Sequence, residues 1–401
     1  MKSKIKSATL ALFALLIAVG LIVFPNYTLE ASMRGINIWW GTVFPSLLPF
    51  FVTAELLIGF GVVRFIGVLF EPIMRPIFNV PGAGSFVWAM GMASGYPSGA
   101  KLTARLRQEK QITQIEAERL VSFTNASNPL FIIAAVSVGL FHDASLGFLL
   151  AIVHYSSNAL VGFCMRFYGK RQEKRNELRS KLSVKKAFEA LHKTRIRDQR
   201  PFGKIFGDAI VNSVQTLLMI GGFIIIFSVI TTLLLRIGVA PFLSNGLAKI
   251  LEIFHLPSEL ALPIFSGLFE ITLGAQLIAD TNLSSILAKS IAVSFIFAFN
   301  GFSVQAQVAS ILAETDIRFL PYFFARLLHG VLASGIAFLL FPYVYDPTQT
   351  TSHVTTTLNL FRSTESFSLW LNLSDYGPVI TLISLGIAIS IMINRLYRYA
   401  S

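Results

Sequence analysis

Long apolar segments alternate with short polar and basic stretches along most of the 401 residues. Several of these segments reach the roughly 20 residues that a membrane-spanning helix requires. The pattern predicts spanning helices over residues 8–24, 36–60, 115–141, 146–167, 208–235, 285–312, 320–343 and 376–393. Two further segments, 62–78 and 241–254, mix charged with apolar positions and are typical of amphipathic helices on a membrane surface. The chain is therefore predicted to be an all-α, polytopic membrane protein.

Composition and charge support this interpretation. The sequence is 54% hydrophobic and 13% charged, whereas soluble domains have about 25% charged residues. The net charge of +12 comes largely from short loops, as the positive-inside rule predicts for a membrane protein, so nucleic acid is not expected as a partner. Residues 169–205 form the largest basic loop and are assigned to the cytoplasm, as are both termini. The basic start of the chain and its apolar continuation resemble a signal peptide, but residues 1–30 are interpreted as a retained transmembrane segment.

Two apolar regions contain residues that break helices. Gly91–Lys101 has the sequence GMASGYPSGAK, and Val121–Pro129 has the sequence VSFTNASNP. Irregular backbone at membrane depth survives only where protein or a wet cavity covers it. We therefore expect a re-entrant hairpin over about 82–109, a second one over about 256–282, and breaks in the helices 115–141 and 285–312. Their tips and breaks are expected to meet near the bilayer midplane and to form a binding site.

A weak internal repeat relates the two halves of the chain. Val121–Pro129 aligns with Val293–Gly301 at an offset of 172 residues, and Gly99–Leu102 aligns with Gly274–Leu277 at nearly the same offset. The loop charges place the start of the first half outside and the start of the second half inside. The sequence thus predicts an inverted-topology repeat of residues 36–168 and 206–343, followed by an external loop at 344–372 and a transmembrane helix in 374–401.

The polar residues at the hairpin tips and breaks are the candidate substrate ligands. Hydroxyls and amides both donate and accept hydrogen bonds, a lysine beside a helix start attracts an anion, and a buried carboxylate binds a donor or a coupling cation. These candidates are Ser94, Tyr96, Ser98, Lys101, Thr124, Asn125, Ser127, Asn128, Glu270, Thr272, Gln276, Asn300, Ser303 and Gln305. Each one alone has a plain alternative role, which is to satisfy loosened backbone or to hold helices together.

The same stretches resemble a known family. EASMRG at 30–35, WW at 39–40, FPSLLPF at 44–50, the Gly91–Lys101 stretch and SFTNASNP at 122–129 look like the stage V sporulation integral membrane proteins with a nucleoside-recognition Gate domain. That family is related to concentrative nucleoside transporters, which have two opposed hairpins and two unwound helices. The resemblance implies transport of dipicolinic acid across the outer forespore membrane, and Lys101 suits this dicarboxylate better than a neutral nucleoside.

These observations predict a secondary transporter, not an enzyme. We find no metal-ligand spacing among the histidines, no phosphate-binding loop and no catalytic triad, so neither a cofactor nor a metal is expected. Na⁺ or H⁺ is the candidate coupling ion, and the lipid bilayer and a small anion are the expected partners. A nucleoside transporter and a non-transporting scaffold of spore assembly are the alternatives, and a homo-oligomer stays open.

Overall fold

The computed structural model describes residues 2–169, 183–282 and 285–345, and every regular element within these ranges is helical. The first half contains α1 (Lys2–Val23), α2 (Pro25–Ile38), α3 (Phe44–Gly59), α4 (Val62–Phe78), α5 (Ala83–Ser94), α6 (Ser98–Gln108), α7 (Gln114–Thr124) and α8 (Ala144–Met165). Two π-helices lie between them: Trp39–Val43 connects α2 to α3, and Leu130–Val138 follows the interruption after α7.

The second half repeats this order of elements. It contains α9 (Val184–Arg197), α10 (Phe202–Arg236), α11 (Val239–Ile253), a 3₁₀ turn (Ser258–Leu260), α12 (Ala261–Phe269), α13 (Ile271–Ala279), α14 (Ile286–Phe299), α15 (Gly301–Leu312) and α16 (Phe319–Val344). The described part of the basic loop contains α9, which packs against α4. The predicted external loop, apart from its first two residues, and the helix at 376–393 lie outside the described residues.

Several helices have the length and apolar character of membrane spans. In the described part of the chain these are Ala144–Met165, Phe202–Arg236, Ile286–Leu312 and Phe319–Val344, with two further candidates in the bent pairs α1–α2 and α3–α4. The fold is therefore that of an all-α polytopic membrane protein. The predicted span over 115–141 is not among them, because its two helical pieces are only 11 and 9 residues long.

The surface helix α4 has the predicted bounds, and the local sequence explains them. Gly61 precedes it with φ +80° and Asn79 ends it with φ +55°, so left-handed residues terminate the helix on both sides. The axis turns by 81° between α3 and α4. A strongly amphipathic segment that leaves a spanning helix at this angle fits a membrane surface.

The first spanning helix of the first repeat is longer than predicted. It begins at Pro25, not at residue 36, so the EASMRG segment at 30–35 is helical. A proline is favourable in the first turn of a helix, and no further proline occurs before Pro45. The helix continues through the π-helix at Trp39–Val43, where an extra residue per turn is accommodated.

Equivalent helices of the two repeats run antiparallel, as an inverted repeat requires. Along the α2–α3 and α10 pair, Ser228 donates to the carbonyl of Ala31 and Trp39 donates to the carbonyl of Leu217. Farther along, Gly59 lies against Ile205, so residue numbers rise on one helix as they fall on the other. The last helices, α8 and α16, show the same relation. Their contacts run from Asp143 with Tyr345 to Asn158 with Arg326.

Candidate substrate-binding site

Both predicted hairpins are present, and each packs against a helix break. Hairpin 1 is α5 and α6, with the cis Tyr96–Pro97 peptide between them, and hairpin 2 is α12 and α13, separated at Glu270. The first break covers residues 125–128, whereas the second is the single residue Asn300, with φ +76°. The two breaks are therefore less alike than their sequence alignment predicts, and Ile286–Leu312 continues as one span.

Glycines allow hairpin 1 to lie directly on the first break. A Cβ atom added to Gly91 or to Gly99 would lie 2.0 Å or 2.1 Å from the carbonyl oxygen of Thr124. Asn128 completes the contact, because its Nδ2 donates to the carbonyl of Ser94 at 3.1 Å and its Oδ1 accepts the N–H of Phe131 at 2.7 Å. The GMASGYPSG sequence thus permits a contact that a residue with a side chain would prevent.

The buried guanidinium of Arg326 satisfies the carbonyls at the end of α7. Arg326 is 0% exposed and donates to the carbonyls of Ser122 and Asn125, to Asn158 Oδ1 at 3.2 Å and to His329 Nδ1 at 3.1 Å. All four acceptors are uncharged, and the side chain forms no ion pair with the described carboxylates. Its Nε is buried without a hydrogen-bond partner. A charge at this depth normally pairs with an opposite charge, which is absent here among the described residues.

Tyr322, one turn before Arg326, joins the two breaks. The amide nitrogen of Asn125 donates to the Tyr322 hydroxyl at 2.8 Å. The hydroxyl in turn donates to Asn300 at 2.9 Å, in the amide orientation that also lets the Asn300 nitrogen donate to the carbonyls of Phe297 and Ala298. Asn125, Asn300 and Tyr322 are all fully buried. The polar groups of both repeats therefore meet in one cluster, as the repeat predicts.

Hairpin 1 also reaches the second repeat. The Tyr96 hydroxyl donates to the carbonyl of Phe297, at the end of α14, over 2.9 Å. On the other side, hairpin 2 lies against the second break, because Gly301 approaches the carbonyl of Gly267 closely. The contact between its own limbs depends on glycine, since a Cβ on Gly274 would lie 2.2 Å from the Cα of Gly267.

Two buried histidines complete this central cluster. The N–H of Ser127 donates to His154 Nε2 at 3.0 Å, and His329 Nε2 lies 3.1 Å from the carbonyl oxygen of His154. The two rings are 5.0 Å apart and tilted by 48°. His154 Nδ1 is buried and has no hydrogen-bond partner. The break is thus tied to α8 and α16 through imidazoles as well as through the guanidinium.

Lys101 lies apart from this cluster. Its ammonium donates to the carbonyl of Asn212 at 3.4 Å and lies 4.4 Å from the centre of the Phe51 ring. Asn212 belongs to the wall of a cleft of about 340 Å³ between hairpin 1, α3, α4, α9 and α10. The charged residues of this cleft are Glu55, Arg64, Arg105, Glu109, Asp198, Arg200 and Asp208. Arg200 pairs with Asp198 and Asp208 at 2.8 Å and 2.9 Å, and it holds the pKa of Asp198 below its usual value.

Glu270 lies beside a second, smaller cavity of about 30 Å³, together with Arg34, Thr272 and Gln276. Its carboxylate accepts the backbone N–H groups of Thr272 at 3.1 Å and Leu273 at 2.7 Å. It therefore caps the start of α13. The two cavities lie at different positions along α10. The larger one is lined by Asn212, and the smaller one by Ile224 and Ser228. These positions are separated by about 18–24 Å along the helix.

The remaining candidates have mainly local contacts. Ser94 and Thr124 donate back to Met90 and Leu120 within their own helices, and Ser127 accepts a hydrogen bond from Tyr155. Ser98 Oγ is buried and unpartnered, as are Asn125 Oδ1 and Gln305 Oε1. Ser303 is buried on the first turn of α15. Unpartnered buried acceptors and hydroxyls are the groups that a bound ligand or water would satisfy.

The sequence interpretation missed the residues that α8 and α16 contribute. Arg326, Tyr322, His329, His154 and Asn158 belong to the cluster but lie outside the hairpins and breaks. The sequence does contain a feature that points to Arg326 and His329. An arginine and a histidine three residues apart inside an apolar spanning segment are rare and usually functional. Among the described residues no group of three or more potential metal ligands is present.

Two opposed hairpins packed on two interrupted helices are features of a membrane transporter-like fold with an internal site. The sequence matches the nucleoside recognition (Gate) family in two places, residues 40–141 and 217–316. These two matches coincide with the two repeats and cover half of the chain. The protein belongs to the Gate family.

A close relative gives the biological setting. The chain is 54% identical to the "Sporulation integral membrane protein YlbJ" of Bacillus subtilis (strain 168), over 98% of both chains. No solved structure matches the chain. The protein is therefore an integral membrane protein similar to a sporulation protein.

Proposed function

We propose that this protein is a secondary transporter that moves dipicolinic acid across the outer forespore membrane during sporulation. The observation that carries the proposal is the Arg326 guanidinium, which is fully buried against the first break with uncharged acceptors only. The sporulation context comes from the relative. Dipicolinic acid is a flat pyridine ring with two carboxylates, so it supplies the anionic partner that Arg326 lacks.

The charge argument starts from the cost of burial. An uncompensated ion in a low-dielectric interior costs several kcal/mol, and the dipoles of the α7 carbonyls compensate only part of it. A carboxylate would accept from Arg326 Nε, which is the strongest type of hydrogen bond available to that group. The second carboxylate would accept from the Asn125 amide and the Tyr322 hydroxyl, in place of the hydrogen bonds that Asn125 donates to Tyr322 and Tyr322 donates to Asn300.

The architecture suits alternating access. The large cleft lies beside hairpin 1 and the small cavity beside hairpin 2, with the central cluster belonging to neither. Transport would open one hairpin while the other closes, as expected for antiparallel repeats around a fixed site. Lys101, at the cleft, would attract the anion before it reaches Arg326.

A nucleoside or related heterocycle is the second candidate. The buried amides of Asn125, Asn300 and Gln305 favour it, because amides recognise the edge of a heterocycle. The matched family is also described by nucleoside recognition. An uncharged nucleoside would, however, leave the Arg326 charge without a counter-ion.

Uptake of labelled dipicolinate and uridine into proteoliposomes separates these candidates. We expect dipicolinate uptake, and a decrease of about 30-fold or more in Arg326→Gln, since losing one partner of a buried charged pair costs about 2–5 kcal/mol. Arg119→Gln is the matched control, because Arg119 is equally buried and binds the carbonyls of Asn79 and Tyr168. Uridine uptake alone would favour the nucleoside candidate, and uptake of neither would favour the scaffold.

A further inference from the structure

The hydrogen bonds around His154 determine where its proton lies. A backbone N–H can only donate, so His154 Nε2, 3.0 Å from the nitrogen of Ser127, is an unprotonated acceptor. The proton of the neutral ring is therefore on Nδ1, which is buried without a partner. His329 is determined in the same way: its Nε2 donates to the carbonyl of His154, and its Nδ1 accepts from the Arg326 guanidinium.

A second proton on His154 is incompatible with this conformation. It would have to bind Nε2, where it would point at the N–H of Ser127, one of the four residues of the first break. The break must then move away from α8. His154 cannot be doubly protonated while the N–H of Ser127 donates to its Nε2. Lower pH therefore favours a conformation in which the break has moved away from His154.

We propose that His154 is the proton-binding site of a proton–dicarboxylate symport, a role that rests on the proposed function. With His154 protonated, the cluster carries two positive charges, His154 and Arg326. A bound dicarboxylate dianion neutralises both of these charges. If the proton or the dianion is missing, the cluster keeps a net charge inside the bilayer. The proton and the anion therefore bind cooperatively, and they cross the membrane together.

Among the described residues, no carboxylate forms a hydrogen bond or an ion pair with His154. The titratable and charged groups near it are His329 and Arg326 on α16, Tyr155 beside it on α8, Tyr322 on α16 and Tyr96 from the tip of hairpin 1. None of the described aspartates or glutamates pairs with His154, His329 or Arg326. Protonation of His154 therefore breaks the hydrogen bond that its Nε2 accepts from the backbone N–H of Ser127 in the first break.

The first test follows the break without any substrate. In a Cys164→Ser background, Ala126→Cys places a thiol in the middle of the break, where Ala126 is 0% exposed. One proton per opening changes the open population by at most about tenfold per pH unit. We expect the labelling rate, corrected for thiol ionisation with a free thiol, to rise several-fold from pH 8 to pH 6.

His154→Gln should remove this rise, because the glutamine oxygen accepts the N–H of Ser127 but does not bind a proton in this pH range. His192→Gln, at an exposed position on α9, is the matched control and should keep it. An equal pH dependence in His154→Gln, or none in the parent protein, would overturn the proton site whatever the substrate is.

The second test measures coupling. With labelled dipicolinate, acid outside proteoliposomes should increase accumulation several-fold, and His154→Gln should exchange internal for external dipicolinate without responding to the gradient. Gradient-independent accumulation by the parent protein would contradict symport. If no variant transports dipicolinate but the labelling result holds, the proposed substrate fails and the proton site does not.

Discussion

The contact between hairpin 1 and the first break can be tested by adding one methyl group. Gly91→Ala and Gly99→Ala each place a Cβ about 2 Å from the carbonyl oxygen of Thr124, with the hairpin in its present position. Real Cβ contacts to such atoms begin at about 3 Å, so the hairpin and the break must separate by about 1 Å or more. Both positions are backbone contacts, and no flexible side chain can move aside.

The magnitude follows from two opposing effects. Overpacking of this kind costs about 1–3 kcal/mol, sometimes more, whereas alanine is better than glycine in a helix by about 1 kcal/mol. The steric cost should exceed the propensity gain at Gly91 and Gly99. Gly207→Ala is the matched control, because Gly207 is also helical and nothing lies within 4 Å of its added Cβ.

Thermal unfolding in detergent, followed by tryptophan fluorescence, measures the difference. We expect Gly91→Ala and Gly99→Ala to melt below the parent protein and Gly207→Ala to melt at or above it. The same two variants should lose dipicolinate uptake, because the hairpin no longer closes on the break. If either hairpin variant melts together with Gly207→Ala, the close packing of hairpin 1 on Thr124 is wrong.

Three further predictions concern single side chains. Tyr322→Phe removes the hydroxyl between Asn125 and Asn300 and should destabilise the protein by about 1–3 kcal/mol, whereas Tyr343→Phe, at a position 85% exposed, should not, as denaturant unfolding would show. Lys101→Ala should slow dipicolinate uptake several-fold but leave equilibrium binding nearly unchanged, with Lys249→Ala as the control; equal losses in both assays would place Lys101 in the binding cluster instead. Arg107 lowers the pKa of Asp316, so this ion pair stabilises the protein above the ordinary carboxyl pKa and is lost as the pH falls through the lowered value. Asp316→Asn should therefore lower the free energy of unfolding at pH 7 by under about 1 kcal/mol, since the pair is partly exposed, and the difference should shrink as the pH falls below the ordinary carboxyl pKa, as denaturant unfolding at several pH values would show.

Much of the fold follows from local sequence. The Gly- and Pro-rich stretch at 91–101 predicts hairpin 1, and the matching order of apolar segments in the second half of the chain predicts hairpin 2. The amphipathic pattern of residues 62–78 predicts α4 with the bounds observed in the structure. These features depend on neighbours within a few residues, which a single sequence contains. The antiparallel relation of the repeats was also predictable, because loop charge reports topology.

The composition of the site was less predictable, because it depends on contacts between distant residues. Asn125 and Asn300 do meet, as the repeat predicts, but the tyrosine between them comes from α16. Lys101 belongs to hairpin 1, yet its position on α6 directs its ammonium toward α10 and the cleft. The hydropathy pattern does not single out Arg326, because one cation in a long apolar segment does not alter the pattern that identifies a span.

The central claim is that Arg326 holds a carboxylate between the two breaks. Equilibrium binding of labelled dipicolinate to the purified protein, with uridine as the comparison ligand, tests it most directly in the parent protein, Arg326→Lys and Arg326→Gln. We predict that dipicolinate binds and uridine does not, that Arg326→Lys keeps part of the affinity, and that Arg326→Gln loses it while Arg119→Gln retains it. Tighter binding of uridine than of dipicolinate, or unchanged dipicolinate affinity in a folded Arg326→Gln protein, would contradict the account.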